Sequence, residues 1–143
     1  MTTSSKAPLS LSTEGGRPLP RGLRNNNPLN IRRTKGTVWK GQCAEQTDPD
    51  FVQFEAMKWG IRAAFCILRT YSLRYHANCV VDIVSRWAPP SENDTEQYIR
   101  NVCRWTGFAG RERLSEAQWP KLLAAMARQE TGAEFQPLYP LTS

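Results

Sequence analysis

The second half of the chain has apolar residues at the spacing of amphipathic helices. Within each of four segments they recur three and four positions apart, which places them on one face of a helix with 3.6 residues per turn. The predicted helices cover residues 57–75, 79–87, 94–105 and 120–130. No internal repeat accompanies them, so the pattern indicates a mainly helical protein.

Local signals set the ends of these helices. Asp94 is a natural N-cap, and Gln97 three residues later completes a capping-box pattern. Ser115 and Gln118 form a second such pair, but Pro120 would break a helix that began at Ser115. We therefore predict a short turn at this point, followed by a helix that starts near Pro120.

The pattern changes before residue 57. Residues 36–41 and 51–54 carry β-branched and aromatic side chains, and we predict that they form two short strands of a hairpin or small sheet. Residues 1–20 contain Ser, Thr, Gly and Pro with little periodicity and are predicted to be a flexible arm or the remnant of a linker. The predicted fold class is α+β and mainly α, with one domain over residues 21–143.

One acidic residue falls on the apolar face of the last predicted helix. Glu130 follows Leu123 and Met126 at helical spacing, so its side chain is expected on the buried face. Desolvation raises the pKa of a buried carboxyl, which suits a general acid near neutral pH. Gly132 then ends the helix. In the alternative interpretation, the helix frays at Gln129 and the Glu130 side chain points into water.

Residues 21–33 contain three consecutive asparagines before a proline. Asparagine side chains bond to nearby backbone groups and favour turns, so we predict an ordered polar loop without a regular element. One interpretation of this loop is a surface turn. The other is a cleft wall of amide donors and acceptors, suited to sugar hydroxyls and N-acetyl groups.

The chain of 143 residues has 40% hydrophobic residues, five tryptophans and a net charge of +6. This is enough for one domain with its own core. The basic charge indicates an anionic partner, namely nucleic acid, an acidic membrane surface or a cell-wall glycan. No apolar run has the length of a membrane span, and the N-terminal residues lack the apolar region of a signal peptide. We therefore expect any export to use another route.

The cysteines and the single histidine are too widely spaced to predict a zinc site. They are Cys43, Cys66, Cys79, Cys103 and His76, with no C-x-x-C pair among them. We expect free thiols, no metal and no cofactor. One or two disulfides remain open if the protein works in an oxidising compartment.

Five short motifs run from the asparagine-rich loop to the end of the last helix. They are Arg24-Asn-Asn-Asn-Pro-Leu-Asn-Ile-Arg32, Phe51-x-x-Phe54, Gly60-Ile-Arg-Ala63, Arg86-Trp-Ala-Pro-Pro90 with Glu92-Asn-Asp-Thr95, and Gln129-Glu-Thr-Gly132. Together they resemble a family of phage and prophage proteins that are often called virion or structural proteins. Similar domains occur in cell-wall-degrading effectors of the lysozyme-like superfamily.

Two of these segments carry a second resemblance. Ala127-Arg-Gln-Glu-Thr-Gly132 is similar to the helix end that holds the catalytic acid of lytic transglycosylases. Asn26-Asn-Pro-Leu-Asn-Ile-Arg32 is similar to the asparagine-rich segment that follows the catalytic helix of bacterial glucosaminidases. Because the order is reversed here, the resemblance implies a lysozyme-like helical domain with a small β-hairpin, circularly permuted so that the acid helix comes last.

The resemblance implies a peptidoglycan-cleaving glycosidase, either a muramidase or a lytic transglycosylase, with Glu130 as the general acid. Glu55 is the second choice for the acid. Candidates for a second carboxylate are Asp48, Asp50 and Glu55. Residues expected to contact N-acetyl or hydroxyl groups are Asn26, Asn27 and Asn30. Tyr98 or Trp87 would stack on a sugar ring, although an aromatic residue on an apolar stripe is more often part of the core.

The expected partners are peptidoglycan glycan strands, together with phage or secretion-system proteins. The expected site of action is the bacterial periplasm or cell wall, reached through phage or secretion machinery or by release on lysis. A non-catalytic virion component or cell-wall-binding module is the alternative, and an exposed Glu130 or an ion pair between Glu130 and Arg128 or another arginine would favour it. A nucleic-acid-binding domain is disfavoured, because the arginines are scattered and no groove-reading motif is present.

Overall fold

The computed structural model describes residues 13–14 and 17–139, and its described part is mainly helical. The elements in chain order are β1 (Thr13–Glu14), β2 (Arg17–Pro18), α1 (Arg21–Arg24), α2 (Met57–Tyr75), α3 (Val80–Trp87), α4 (Thr95–Thr106) and α5 (Trp119–Thr131). The four predicted helices are confirmed as α2 to α5, and each end lies within one residue of the prediction.

The predicted helix ends depend on side-chain caps. The Asp94 carboxylate accepts a hydrogen bond from the backbone N–H of Gln97 at 3.1 Å and caps α4. The Gln97 side chain bonds to Asn101 and does not return to Asp94, so only half of the predicted capping box forms. Ser115 and Gln118 make the full reciprocal box around a single 3₁₀ turn. The next helix begins at the following residue, as the position of the proline predicts.

Helix α5 lies at the centre of the core. Leu122, Leu123 and Met126 are completely buried on it, and burial of one such side chain contributes about 1.5–3 kcal/mol. Helix α4 packs along α5, and α3 packs against α4. Gly132 ends α5 with a φ of +82°, in the left-handed conformation that glycine adopts without strain. The packing of these buried side chains therefore fixes the position of the C-terminal end of α5.

The predicted hairpin between residues 36–41 and 51–54 is wrong. Both glycines of the first segment have positive φ values, +84° and +80°, so its backbone turns where a strand would need to stay extended. In the described residues this region keeps only two isolated bridges, between Arg32 and Phe51 and between Gln42 and Phe54.

The regular strand pairing of the described chain lies earlier. Strands β1 and β2 are antiparallel, with Thr13 opposite Pro18 and Glu14 opposite Arg17. They fall within residues 1–20, for which we predicted a flexible arm. Residues 1–12, 15–16 and 140–143 lie outside the described residues, so the arm stays a prediction for most of its length.

The polar segment 21–33 begins with the short helix α1, which the turn-forming residues did not predict. The rest of this segment's backbone is stabilised by hydrogen bonds to the side chain of Asn27, which is completely buried. The Asn27 amide donates to the carbonyl oxygens of Ile31 and Val52, and its oxygen accepts from the N–H of Ile31. These three bonds satisfy a buried amide and fix the loop against residues 51–54.

No helix of the described residues combines the length and the apolar character needed to cross a membrane.

Candidate active site

Glu130 lies in the last turn of α5 and is held by two neutral donors. The Asn30 amide donates to Oε1 at 2.9 Å, and the Tyr98 hydroxyl donates to Oε2 at 2.9 Å. Asn30 comes from the asparagine-rich segment and Tyr98 from α4, so three distant parts of the chain meet at this carboxyl group. The prediction that Glu130 lies on the inward face of its helix is confirmed, because its partner Tyr98 is buried in the core.

Burial is the largest influence on the Glu130 carboxyl and raises its pKa above the ordinary value of 4.5. The hydrogen bonds from Asn30 and Tyr98 act in the opposite direction, as does the charge of Arg32. The pKa of the Tyr98 hydroxyl is also raised, by burial first and then by the adjacent Glu130 charge. No cation of the described chain forms an ion pair with Glu130 within 4.0 Å. The predicted alternative, a pair with Arg128, is therefore absent there.

The approach of Asn30 to Glu130 depends on an unusual backbone. Asn26 and Asn30 have φ values of +54° and +51°, a left-handed conformation that asparagine tolerates better than most residues. Gly22 lies directly against this turn: a Cβ atom there would meet the Asn30 side-chain oxygen at 3.0 Å and the backbone oxygen of Asn27 at 2.9 Å. A side chain at position 22 would therefore push the asparagine loop away from α5.

The Glu130 carboxyl opens onto a cleft of about 400 Å³. The lining residues come from the asparagine-rich segment, the following loop, α2, the end of α3 and α5. They are Asn30, Ile31, Arg32, Thr34, Thr37, Trp39, Phe51, Ile67, Tyr71, Trp87, Ala88, Asn93 and Glu130. Glu130 is the one carboxylate of this lining, and four of the side chains are aromatic. Aromatic rings next to directed polar groups are typical of a small-molecule binding site.

The Trp87 side chain lines this cleft, and two contacts with the rest of the protein fix its position. Its indole N–H donates to the carbonyl oxygen of Leu29 at 3.1 Å, and its ring meets Tyr71 edge to face at a centroid distance of 6.2 Å. Both contacts fix the ring orientation, so the exposed part of Trp87 is a rigid platform at one wall.

The other predicted acids lie apart from Glu130. Glu55 is exposed just before α2 and is absent from the cleft lining. The Asp50 side chain is half exposed and accepts a hydrogen bond from Arg21 at 3.0 Å. Asp48 is nearly buried and forms a bidentate pair with Arg21, which holds the pKa of Asp48 well below its usual range. The described structure thus brings no second carboxylate to the cleft.

The predicted sugar-binding residues divide into two groups. Asn30 lines the cleft beside Glu130, as expected for a residue that contacts substrate. Asn26 donates to the carbonyl oxygen of Phe54, and Asn27 is buried among backbone partners, so neither side chain faces the cleft. Tyr98 is 4% exposed, which rules out stacking on a sugar; it contacts Glu130 instead.

Several lining residues were not predicted as site residues from the sequence. Trp39 and Thr37 come from the segment that we predicted as a strand, Tyr71 from the side of α2 next to its apolar stripe, and Arg32 from the asparagine motif. The available signal was an aromatic excess on helix α2 and in the loop before it. That signal does not distinguish a cleft wall from a core.

The described residues contain no group of three or more His, Cys, Asp or Glu side chains placed to hold a metal ion. The four cysteines are free in this structure, with Cys79 buried.

Comparison with known proteins finds similarity to a phage protein. No protein-family model matches the chain. The chain is 43% identical to "Protein P5" of Pseudoalteromonas phage PM2 over 115 residues, which cover 79% of this chain and 72% of the phage protein. The predicted resemblance to a family of phage proteins is therefore confirmed. The chain belongs to the same protein family as Protein P5 of phage PM2.

Proposed function

We propose that this protein is a peptidoglycan-cleaving glycosidase and that Glu130 is its general acid. The observation that carries the proposal is a largely buried carboxyl group without an ion pair, held by Asn30 and Tyr98 at the wall of an aromatic cleft. A raised pKa keeps such a group protonated at higher pH than an exposed glutamate, which is the requirement for donating a proton to a leaving group.

In the proposed reaction the glycan strand lies along the cleft with a glycosidic oxygen at Glu130. The carboxyl proton passes to that oxygen as the bond from the anomeric carbon to it breaks, and the sugar develops oxocarbenium character. Glu130 is then ionised, and the hydrogen bonds from Asn30 and Tyr98 stabilise its charge. The wall formed by Trp87 and Tyr71 is suited to hold the apolar face of a sugar ring.

A single carboxylate in the cleft favours the transglycosylase route. Hydrolysis with inversion needs a second carboxylate to activate water, and hydrolysis with retention needs one as the nucleophile. Neither Asp50 nor Glu55 lines the cleft. An attack by a hydroxyl group of the substrate itself needs only Glu130, which takes the proton from that hydroxyl as it forms the new bond.

The lysozyme-like fold and its circular permutation are part of the same proposal. Asn30 and Glu130 are 100 positions apart in the sequence, yet their side chains are hydrogen-bonded. The acid helix and the asparagine-rich segment are thus neighbours in space although they occur in the reverse of the transglycosylase order. A permuted chain would have this arrangement, since domain termini often lie close together.

The proposed place of action is the bacterial cell wall or periplasm, with delivery by phage or secretion machinery or release on lysis. The support for a phage context is the relationship to Protein P5 of phage PM2. The net charge of +6 suits the anionic surface that such an enzyme would meet.

A non-catalytic virion component or cell-wall-binding module is the second candidate. One observation favours it: both carboxylate oxygens of Glu130 already accept hydrogen bonds from within the protein. In this account the Glu130 contacts would join α4, α5 and the asparagine loop, and the cleft would bind glycan without cutting it.

Release of soluble fragments from purified peptidoglycan tests the proposal. Glu130→Gln should abolish release while the protein stays folded, and Glu55→Gln should retain it because Glu55 is exposed and outside the cleft. Product masses should show anhydro ends. Reducing ends would replace the transglycosylase route by hydrolysis, and no release by the wild type would favour the binding module.

A further inference from the structure

Arg32 is the one cation among the described residues that line the cleft. Its side chain is 62% exposed and forms a single ion pair, with Glu92 at 3.1 Å. Glu92 is similarly exposed, at 58%. Ion pairs between such exposed groups contribute little to stability, because water and salt screen them. Another anion can therefore replace Glu92 as the partner of Arg32 at little cost in free energy.

The position of Arg32 is fixed although its guanidinium is accessible. Its backbone forms an isolated bridge with Phe51, and its guanidinium lies over the Phe51 ring, 5.3 Å from the centroid. Contact with an aromatic face limits the conformations of an arginine side chain and so reduces the entropy that binding would cost. Phe51 lines the same cleft. The guanidinium is thus presented at the cleft on a rigid support.

Arg32 lies close to the proposed reaction site along the chain and lines the same cleft as Glu130. Arg32 follows Asn30 by two residues, and Asn30 donates to the Glu130 carboxyl group. Asn93, next to the ion-pair partner Glu92, also lines the cleft. A ligand with its reacting bond at Glu130 would therefore place its next substituent near the Arg32 guanidinium and a neutral amide.

We propose that Arg32 binds a carboxylate of the substrate, which takes the place of Glu92, and that the cleft is therefore selective for carboxylate-bearing glycan strands. This inference rests on the proposed function, because it names the substrate class of the same cleft. A guanidinium presents paired N–H groups that match the two oxygens of a carboxylate, and Glu92 engages only one of its terminal nitrogens. Uncharged polymers of N-acetylglucosamine would leave Arg32 paired with Glu92.

In peptidoglycan the carboxylate has two possible sources: the acidic ether group on one of the two sugars, which is free only where no stem peptide is attached to it, and the stem peptides themselves. Binding is measured with the full chain carrying Glu130→Gln. The ligands are amidase-treated glycan strands, in which removal of the peptides frees the sugar carboxylates, and intact peptidoglycan fragments, in which the peptides occupy those groups. Each ligand is also used after its carboxylates have been converted to amides, and chitin oligosaccharides serve as the uncharged probe.

Two substitutions in that background should change affinity in opposite directions. Arg32→Gln should weaken binding about tenfold, and Glu92→Gln should tighten it about threefold by removing the competing anion. Arg33→Gln is the matched control, because Arg33 is exposed, lies outside this cleft and bonds to the backbone of Asp48. Amidation of the ligand should abolish the effects of both substitutions. Tight binding to amidase-treated strands would assign the sugar carboxylate, and binding to intact fragments alone would assign the peptide.

Equal affinity for native and amidated ligands, or weaker binding after Glu92→Gln, would overturn the role of Arg32. A purely structural ion pair would give the second result, since both substitutions would then disturb the same loop contact. Failure of the proposed catalysis is a separate result: the wild type would bind carboxylate-bearing strands with the predicted selectivity and release no products.

Discussion

Two carboxyl groups of this protein are held by the same asparagine-rich segment, and their surroundings differ in charge. Asp48 meets the Arg21 guanidinium, the Asn25 amide and two backbone N–H groups. Glu130 meets only the neutral donors Asn30 and Tyr98. The first arrangement lowers the pKa of the carboxyl group, and the second leaves burial as the largest influence, which raises it.

This difference separates a structural role from a chemical one. An ion-paired carboxylate with five donors fastens a loop and stays ionised, so it has no proton to give. A buried carboxyl group without an ion pair keeps its proton to a higher pH than an exposed one and can then donate it, while its neutral donors stabilise the resulting charge. Both carboxyl groups are largely buried, so the charge of their hydrogen-bond partners, more than the extent of their burial, determines whether each stays ionised or can donate a proton.

The largest expected effect is on catalysis. Glu130→Gln should lower the rate of peptidoglycan fragment release by at least about 100-fold, because it removes the one carboxyl group among the described residues that line the cleft. Folding should be preserved, since the Tyr98 hydroxyl can accept a hydrogen bond from the new amide. The melting temperature and the circular dichroism spectrum check the fold, and Glu55→Gln provides the matched loss of an exposed carboxylate.

Asp48→Asn should have the largest effect on stability. The amide cannot match a carboxylate that accepts from Arg21, Asn25 and the backbone, so the melting temperature at pH 7 should fall by several degrees. Asp50→Asn removes one half-exposed contact with Arg21 and should change the melting temperature little. Equal effects of the two substitutions would contradict the assigned role of Asp48.

The two groups should also impose opposite pH dependences on stability. The folded-state pKa of Asp48 is depressed, so its contribution is present above its ordinary value of 3.8 and is lost as the pH falls through the folded value. The folded-state pKa of Glu130 is raised, so its contribution is greatest below 4.5 and is lost as the pH rises through the folded value. Urea unfolding from pH 2 to 8 should show Asp48→Asn flattening the acidic side and Glu130→Gln flattening the side above pH 4.5.

Tyr98→Phe should give a smaller change, visible mainly in the pH profile of activity. The hydroxyl donates to Glu130 and favours its ionised form, so its removal should raise the pKa of Glu130 further. The alkaline limb of the rate profile should then move to higher pH, with less than about a tenfold loss at the optimum. Tyr75→Phe is the control, because Tyr75 is exposed on α2. An equal loss of rate at every pH would indicate a role in folding alone.

The sequence predicts the helical part of this molecule well and the loop part poorly. Helices α2 to α5 have strong apolar periodicity and local end signals, so Asp94 and Gly132 could be assigned from neighbours a few residues away. The segment from Arg32 to Phe54 has short runs whose strand propensity is overridden by turning glycines and by contacts with distant residues. Propensity alone does not contain that information.

The candidate site shows the same division. Glu130 could be placed on the inner face because a helix of fixed period carries it. The bond from Asn30 to Glu130 spans 100 positions, and the pairing of Arg21 with Asp48 spans 27. Such contacts depend on how the loop docks onto α5. For the same reason the sequence could not separate Asn30, which lines the cleft, from Asn27, which is buried in the loop.

Site-resolved titration of the carboxyl groups by carbon-13 NMR, with Glu130 and Asp48 followed in one sample, tests the central contrast most directly. Glu130→Gln and Asp48→Asn assign the two resonances. We expect the Glu130 carboxyl to titrate above 4.5 and Asp48 below 3.8. A Glu130 pKa at or below 4.5 would contradict the account, because the group would then be an ionised structural carboxylate like Asp48 and would have no proton to donate near neutral pH.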